Sequence, residues 1–291
     1  MIRQQKNLLA GKVAVVTGST QGLGLAIARS YAEAGAAVVV SNHQMEDVRQ
    51  AVEVLRQQGA QVTGHVCDVR EQAQVFGLAD AALAAFGTID IWVNNAGVTA
   101  TQGPVVAIAP EVFTRVVATN ILGTYHGSLA ALRHMSPRRS GKLINMVGQG
   151  ERKPNPYGNA YGSSKAWIRH FTLALAHEER ANGLGIFTLN PGLLDTELTR
   201  RMTVVAGYEA RAQAFDTIAR LVAVPAEESA QLALRLAGPD TDGRTGIELR
   251  APTFSRLLRG LTRELARRAL RRPAPRQVSY VSLPPDHERT R

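Results

Sequence analysis

Residues 12–24, KVAVVTGSTQGLG, decide the fold. The first six form a short β-branched run of the kind a buried parallel strand needs. Gly18, Gly22 and Gly24 follow at once. Leu23, Ile27 and Tyr31 then recur at helical spacing as far as Gly35, a C-terminal stop. A strand, a glycine-rich turn and a helix in that order build an anion site. The helix N-terminus offers amide donors and the positive end of its dipole, and the glycines let a pyrophosphate approach the backbone closely. A Gly-rich turn alone would be weak evidence, and the strand–turn–helix setting is what gives it weight.

Outward from this unit, strands and helices alternate. AAVVVSN (36–42) reads as a second strand, a helix from about Met45 to Gln58 ends at Gly59, and QVTGHVCDV (61–69) supplies a third strand. The order repeats with helix 71–86, strand IDIWVNNAG (89–97), helix 111–135, strand GKLINMVG (141–148), helix 160–181 and strand GIFTLNPG (185–192). Such alternation predicts an α/β, Rossmann-type doubly wound parallel sheet. Residues 195–222 read as a helical insertion where a substrate lid would lie. EESAQLALRLAG (227–238) reads as a further helix and TGIEL (245–249) as a short last strand.

The chain carries a net charge of +10, and eleven Arg against Glu264, Asp286 and Glu288 put +8 of it in residues 250–291. From Phe254 to Arg272 an amphipathic basic helix is predicted, with Phe254, Leu257, Leu258, Leu261, Leu265 and Leu270 as one stripe. The Pro-rich, polar last twenty residues are expected to be extended or poorly ordered. These features divide the chain into a dinucleotide-binding and catalytic domain, 8–250, and a C-terminal helical extension with its tail, 251–291. Cys67 is the only cysteine, so no internal disulfide forms, and a core thiol in a cytoplasmic protein is the natural reading. No apolar run reaches membrane-span length, the opening residues have no signal-peptide core, and the seven His form no ligand-like cluster.

The turn has the spacing TGxxxGxG, and with it the chain resembles the short-chain dehydrogenase/reductase family in its short form, from about residue 10 to 249. Five further motifs stand in the family's order: Asp68 in CDV, NNAG (94–97), Asn120 in ATNILG, Tyr161 and Lys165 in YGSSK, and NPG (190–192) followed by Thr196. The resemblance implies a nicotinamide dinucleotide held by Gly18, Ser19, Thr20, Gln21, Gly22, Leu23 and Gly24. Asn42 and His43 lie at its ribose and Asp68 and Val69 at its adenine. Asn95, Ala96 and Gly97 line it, and Pro191, Gly192 and Thr196 meet its carboxamide. It also implies that Asn120, Tyr161 and Lys165 are catalytic. Tyr161 exchanges a proton with a carbonyl or alcohol, Lys165 binds the nicotinamide ribose, and Asn120 holds a water that joins Lys165 to solvent.

Residue chemistry fits these roles. Tyr161 and Lys165 lie four apart, on one helix face. An unperturbed phenol, with a pKa of about 10, needs a nearby cation to work near neutrality. The second strand ends in Asn42 and His43 instead of an acid that would repel a 2′-phosphate, which favours NADP(H). Gln21 stands where many NADP-dependent members carry a basic residue, and this leaves NAD(H) open.

One position departs from the family. Gly148 replaces the Ser expected thirteen residues before Tyr161. Gln149 or Asn155 can supply the missing donor, a backbone amide near Gly148 can do so, or the chain keeps dinucleotide binding alone, as a regulatory or scaffold protein. The favoured function is a carbonyl or alcohol oxidoreductase acting on a small molecule as a homodimer or homotetramer. Docking of Leu257, Leu261 and Leu265 on the domain or on a neighbouring subunit is favoured over contact of the basic tail with membrane or nucleic acid.

Overall fold

In the computed structural model, which describes residues 7–270 and 278–286, the alternation becomes one open sheet. Its strands are β1 (Val13–Val16), β2 (Ala37–Asn42), β3 (Val62–Val66), β4 (Ile91–Asn94), β5 (Lys142–Met146), β6 (Gly185–Asn190) and β8 (Glu248–Arg250). They are ordered β3-β2-β1-β4-β5-β6-β8, and every pairing is parallel. Parallel strands need crossovers, and the helices α1 (Gly22–Glu33), α2 (Met45–Gln57), α3 (Gln72–Phe86), α6 (Asn159–Glu178) and α9 (Ala226–Ala237) supply most of them.

The strands are apolar on both faces because both faces are covered. Val16, Val38 and Val40 point into a core with Ile27 and Tyr31 of α1, Leu55 of α2 and Leu234 of α9. Val15, Val39 and Trp92 point the other way, onto Val75 and Leu78 of α3 and Leu175 of α6. Strand order reverses between β1 and β4, so the chain diverges there and leaves a crevice at the strands' C-terminal ends.

The predicted helix 111–135 is α4 (Pro110–Val116), a π-helical stretch Val117–Leu122 and α5 (Gly123–Arg138), all in succession. The wider turn carries Asn120, which is fully buried. Two glycines then let α5 press on the sheet. A Cβ on Gly127 would stand 2.0 Å from Asn94 Oδ1, and one on Gly123 2.7 Å from Val69 Cγ2.

Three expectations about the C-terminal third are corrected. Residues 195–222 are not one helical insertion, because α7 (Glu197–Arg200) and α8 (Glu209–Val222) flank a strand, β7 (Arg201–Val205). The tail is not simply extended: β9 (Ser279–Leu283) pairs in parallel with β7, and Val278 is buried. The β-branched pattern of RMTVV becomes a strand because the chain returns as β9 to partner it, with Gln102 bridging to Val204 as well. Residues 271–277 and 287–291 of that tail lie outside the described residues.

The basic helix forms as α10 (Thr253–Ala269), but it is turned over. Phe254, Leu258, Leu261, Leu265 and Leu270 are exposed, while Arg256 and Gly260 face the body. Gly260 lets α10 meet α8 closely, since a Cβ there would lie 1.8 Å from the Leu221 carbonyl oxygen. The Arg256 guanidinium finds buried acceptors. Against this domain, Arg256 and Gly260 dock rather than Leu261 and Leu265, while Leu257 is half-buried.

The glycine contacts predict unequal costs. Gly127→Ala is expected to destabilise by about 1–3 kcal/mol through overpacking against Asn94. In contrast, Gly77→Ala, whose Cβ meets nothing nearer than His65 Nε2 at 3.4 Å, should leave stability unchanged or raise it slightly. Thermal melts of the two variants read the difference, and equal midpoints would remove the Gly127 contact as a constraint.

Candidate active site

The turn after β1 is stitched to the end of β4. Asn95 Nδ2 donates to the Thr17 and Gly18 carbonyl oxygens, both at 2.9 Å. The backbone N–H groups of Asn95 and Ala96 donate to Thr17 Oγ1 at 3.0 and 3.1 Å. Gly18 and Gly22 take φ of 60° and 53°. A Cβ on Gly18 would sit 2.9 Å from Ala96 Cα, and one on Gly24 2.2 Å from the Gly18 carbonyl oxygen. Glycine is therefore required here twice over, by conformation and by space. Ser19 is buried beneath the turn, donating to the Val16 carbonyl at 2.6 Å and accepting from the Ser41 N–H at 3.0 Å. Gln21 precedes α1 in extended conformation, and Leu23 packs against the α1–α9 core.

At the end of β2, the Asn42 amide donates to Thr20 Oγ1 at 2.5 Å and to Asp47 Oδ2 at 3.1 Å. His43 is exposed beside it. Asp68, past β3, is gripped by Arg70, whose Nε lies 2.9 Å from both carboxylate oxygens. The Arg70 guanidinium holds the Asp68 carboxyl below the usual carboxylate range. Val69 is buried under Gly123 and Cys67 is buried beside it.

Across the crevice, α6 carries Tyr161 and Lys165, and packing delivers them to the β4 and β5 ends. Lys165 Nζ donates to the Met146 carbonyl at 3.0 Å and lies 5.6 Å from the Tyr161 ring centroid. A Cβ on Gly97 would stand 3.3 Å from Asn120 Oδ1 and 3.8 Å from Lys165 Nζ, so these three converge. Both ends of the Asn120 side chain are engaged, Oδ1 accepting from Val98 N–H at 2.8 Å and Nδ2 donating to Ser164 Oγ at 3.0 Å. Burial pushes the Tyr161 phenol up to about 12, and the Glu151 charge adds to the rise. Burial pulls the Lys165 ammonium down to about 8, with Glu151 opposing.

The floor beneath Tyr161 is Gly148. A Cβ at this position would lie 2.9 Å from the tyrosine hydroxyl, so the missing side chain is space that the phenol uses. Gly148 is buried, and among the described residues its N–H has no acceptor. Gln149 is exposed, and its amide donates to Asn155 Oδ1 at 3.3 Å while Asn155 Nδ2 bonds the Gly158 carbonyl at 3.2 Å. These two side chains hold the loop together.

The segment after β6 closes the ring. The Pro191 carbonyl accepts from Ser229 Oγ at 2.8 Å and from Arg256 Nη1 at 2.9 Å. Gly192 has φ 75°, and a Cβ on it would meet Arg256 Nη1 at 2.4 Å. Thr196 caps α7 and faces the glycine turn, 3.6 Å from where a Gly22 Cβ would be.

Two site residues escaped the sequence reading. Glu151 has a side chain only 3% exposed. Its Oε1 pairs with Arg250 Nη2 at 2.9 Å, while Oε2 has no partner among the described residues. Nothing in GQGERK distinguishes it from a solvated loop acid. Arg256, 3% exposed, reaches Glu228 at 3.1 Å as well as the Pro191 carbonyl. Its neighbours in sequence are arginines facing water, which conceals it.

The family model for short chain dehydrogenases matches residues 12–204. Glucose 1-dehydrogenase 2 of Bacillus subtilis is 32% identical over 191 residues, which cover 65% of this chain and 74% of that protein. A gluconate 5-dehydrogenase from Burkholderia cenocepacia, solved with NADP and tartrate, superposes with a TM-score of 0.76 at 29% identity, covering 88% of this chain and 99% of that one. A 3-ketoacyl-(acyl-carrier-protein) reductase from Brucella melitensis, solved with NADH, gives 0.75 at 26% identity over 84% and 97%. With its parallel seven-stranded sheet, glycine turn and converging Asn–Tyr–Lys set, the chain belongs to the short-chain dehydrogenase/reductase family of oxidoreductases.

Proposed function

We propose that this enzyme reduces a carbonyl, or oxidises the corresponding alcohol, on a small organic molecule, with NADP(H) preferred over NAD(H) and Tyr161 as general acid and base. The observation that carries this reading is the convergence of Lys165 and Asn120 at Gly97, with the Tyr161 ring 5.6 Å from Lys165 Nζ, across the crevice from the glycine turn. A dinucleotide fits that crevice, because Gly18 and Gly24 let the turn pack tightly on Ala96 and on its own backbone while Gln21 and Gly22 stay exposed at the α1 N-terminus. Its nicotinamide, when bound, supplies or accepts the hydride.

The chain's own residues handle the proton. In reduction, Tyr161 gives its hydroxyl proton to the substrate oxygen, and in oxidation it takes that proton back. Lys165 favours the phenolate by its charge, which it keeps below about pH 8. Asn120 fixes Val98 and Ser164 around this lysine. The unengaged N–H of Gly148 is the donor we assign to the substrate oxygen in place of the serine hydroxyl. At the ribose corner Asn42 and His43 carry no negative charge. Asp47 also borders that corner, so direct discrimination between cofactors is the decisive measurement. Exposed Phe113, Leu122 and Tyr125 offer a face for the homodimer or homotetramer that belongs to the same reading. The glycine in place of serine favours a second reading, a dinucleotide-binding regulator without turnover.

Titration with NADPH and NADH, followed by nicotinamide fluorescence, is expected to show tight binding with NADPH preferred. Failure of both to bind at physiological concentration would end the enzyme reading. In a carbonyl and alcohol screen, Tyr161→Phe should lower kcat by at least 10²-fold, in keeping with general acid–base catalysis, while cofactor affinity stays nearly unchanged. Turnover equal to that of the parent would take Tyr161 out of the mechanism, and an inactive parent that binds cofactor would favour the regulator.

Glu151 predicts a pH effect. Its negative charge favours the protonated forms of both Tyr161 and Lys165. Glu151→Gln therefore makes both protons easier to lose. In alcohol oxidation, where rate rises as Tyr161 ionises, the ascending limb should move to lower pH, by roughly half to one pH unit. Superimposable profiles would show that Glu151 does not act on the pair.

A further inference from the structure

The segment that follows β6 reaches from the glycine turn to the loop before α6. At its start Thr196 faces the turn, 3.6 Å from where a Gly22 Cβ would be. Farther on, β7 is bonded to the stretch after β4. The Gln102 N–H donates to the Thr203 carbonyl and the Val205 N–H to the Gln102 carbonyl, both at 2.8 Å. The next residue, Gly103, donates at 2.8 Å to the carbonyl of Tyr157, four residues before Tyr161. Ala100 packs with Ala160, and Tyr161 lies against that cluster. A shift of β7 is therefore felt by the wall beside Tyr161.

Two glycines in the left-handed region bound this segment, Gly192 at φ 75° and Gly207 at φ 87°. They are not held alike. A Cβ on Gly192 would meet Arg256 Nη1 at 2.4 Å, so α10 fills the space at that end. A Cβ on Gly207 would meet nothing within 4 Å, so side-chain packing leaves this end free to turn, as a hinge must be. β9 restrains it from outside. The Ala206 N–H donates to the Leu283 carbonyl at 2.8 Å, and the register runs from Arg201 opposite Ser279 to Val205 opposite Leu283.

β9 is itself fastened to α8. Val278, 2% exposed, donates its N–H to Asp216 Oδ1 at 2.9 Å, and Ser282 Oγ donates to Glu209 Oε1 at 2.6 Å. The same Glu209 oxygen accepts from the Gly207 N–H at 3.2 Å, so one carboxylate ties the strand to the hinge. Without β9, β7 would be an edge strand with open backbone groups, bridged only through Gln102. A pairing of that size is marginal in water.

We propose that β9 is the positioning element of the substrate wall: paired along the outer edge of β7, it holds residues 193–206 against Gln102 and so sets how tightly substrate is captured beside Tyr161. Val278 and Ser282 act through β7, not on the reacting atoms. The effect on substrate rests on the oxidoreductase reading, whereas the hold on β7 does not. Lys165 and Asn120 are bonded to Met146, Val98 and Ser164, so the proton chemistry should survive a looser wall.

Val278→Asp, which sets a carboxylate beside Asp216, tests this in the full chain, with Val278→Ile as the conservative partner. Amide hydrogen exchange in 201–206 is expected to quicken about tenfold in Val278→Asp, while β1, β4 and β5 keep their protection. For a carbonyl substrate, KM should rise about tenfold with kcat within about twofold of the parent, the mark of lost capture without lost chemistry. Val278→Ile should keep both constants. Unchanged exchange in 201–206, or quickened exchange with KM unmoved, overturns the proposal. A fall in kcat at constant KM also overturns it, because the effect would then lie on Tyr161 and Lys165. The parent chain gives a reading that does not depend on how the variant folds. Joint protection of 201–206 and 279–283 is expected there, and free exchange in 279–283 beside a protected β7 overturns the proposal. A parent without turnover ends the oxidoreductase reading, and the exchange measurements still decide whether β9 holds β7.

Discussion

The crevice depends on how closely the backbone after β1 can approach the end of β4. Those two strands carry the chain in opposite directions from the middle of the sheet, and the gap they leave must be narrow enough to grip a ligand yet free of side chains. Gly18 lies against Ala96, and Asn95 and Thr17 exchange hydrogen bonds across the join. Each of these groups would be an unsatisfied polar atom if the two strands moved apart, so the turn is held by the cost of opening it. Everything that faces the crevice is placed relative to this join.

A second, buried layer aligns Tyr161 and Lys165 with it. Trp92 Nε1 donates to Asn94 Oδ1 at 2.8 Å, Asn94 Nδ2 donates to Asn145 Oδ1 at 2.8 Å, and Asn145 Nδ2 donates to Thr172 Oγ1 at 2.9 Å. This chain of amides runs from β4 through β5 into α6, the helix that bears Tyr161 and Lys165. Burying so many polar groups is tolerable because each finds a partner, and the same geometry then admits only one register of α6 on the sheet. Gly127 belongs to this arrangement, since a side chain there would push α5 off Asn94.

Two buried charged groups come from farther away. Glu151 is carried into the interior by the loop before α6 and neutralised on one oxygen by Arg250 of the edge strand β8. Arg256 at the start of α10 holds the Pro191 carbonyl, so the C-terminal helix is mechanically part of the site wall. A buried guanidinium that lost its acceptors would be costly, and this couples the docking of α10 to the shape of the loop after β6.

The amino-acid sequence by itself determined the sheet, its parallel sense and the glycine turn, and it singled out Asn120, Tyr161 and Lys165 as candidates. Those features rest on local spacing, on β-branched runs and on motifs in register, all of which survive in one dimension. It did not determine that RMTVV would be a strand, because a strand needs a partner and β9 lies more than seventy residues on. It did not reveal Glu151 or Arg256, since a charged residue in a loop or basic helix looks the same in sequence whether it is solvated or buried. Nor did it determine which face of α10 meets this domain. Periodicity identifies an apolar face but not what covers it, and here a glycine contact with α8 and a buried arginine bound the helix by its polar side. Only the tertiary structure decided which face met the protein, because that choice is settled by backbone proximity and hydrogen-bond satisfaction between segments distant in the chain.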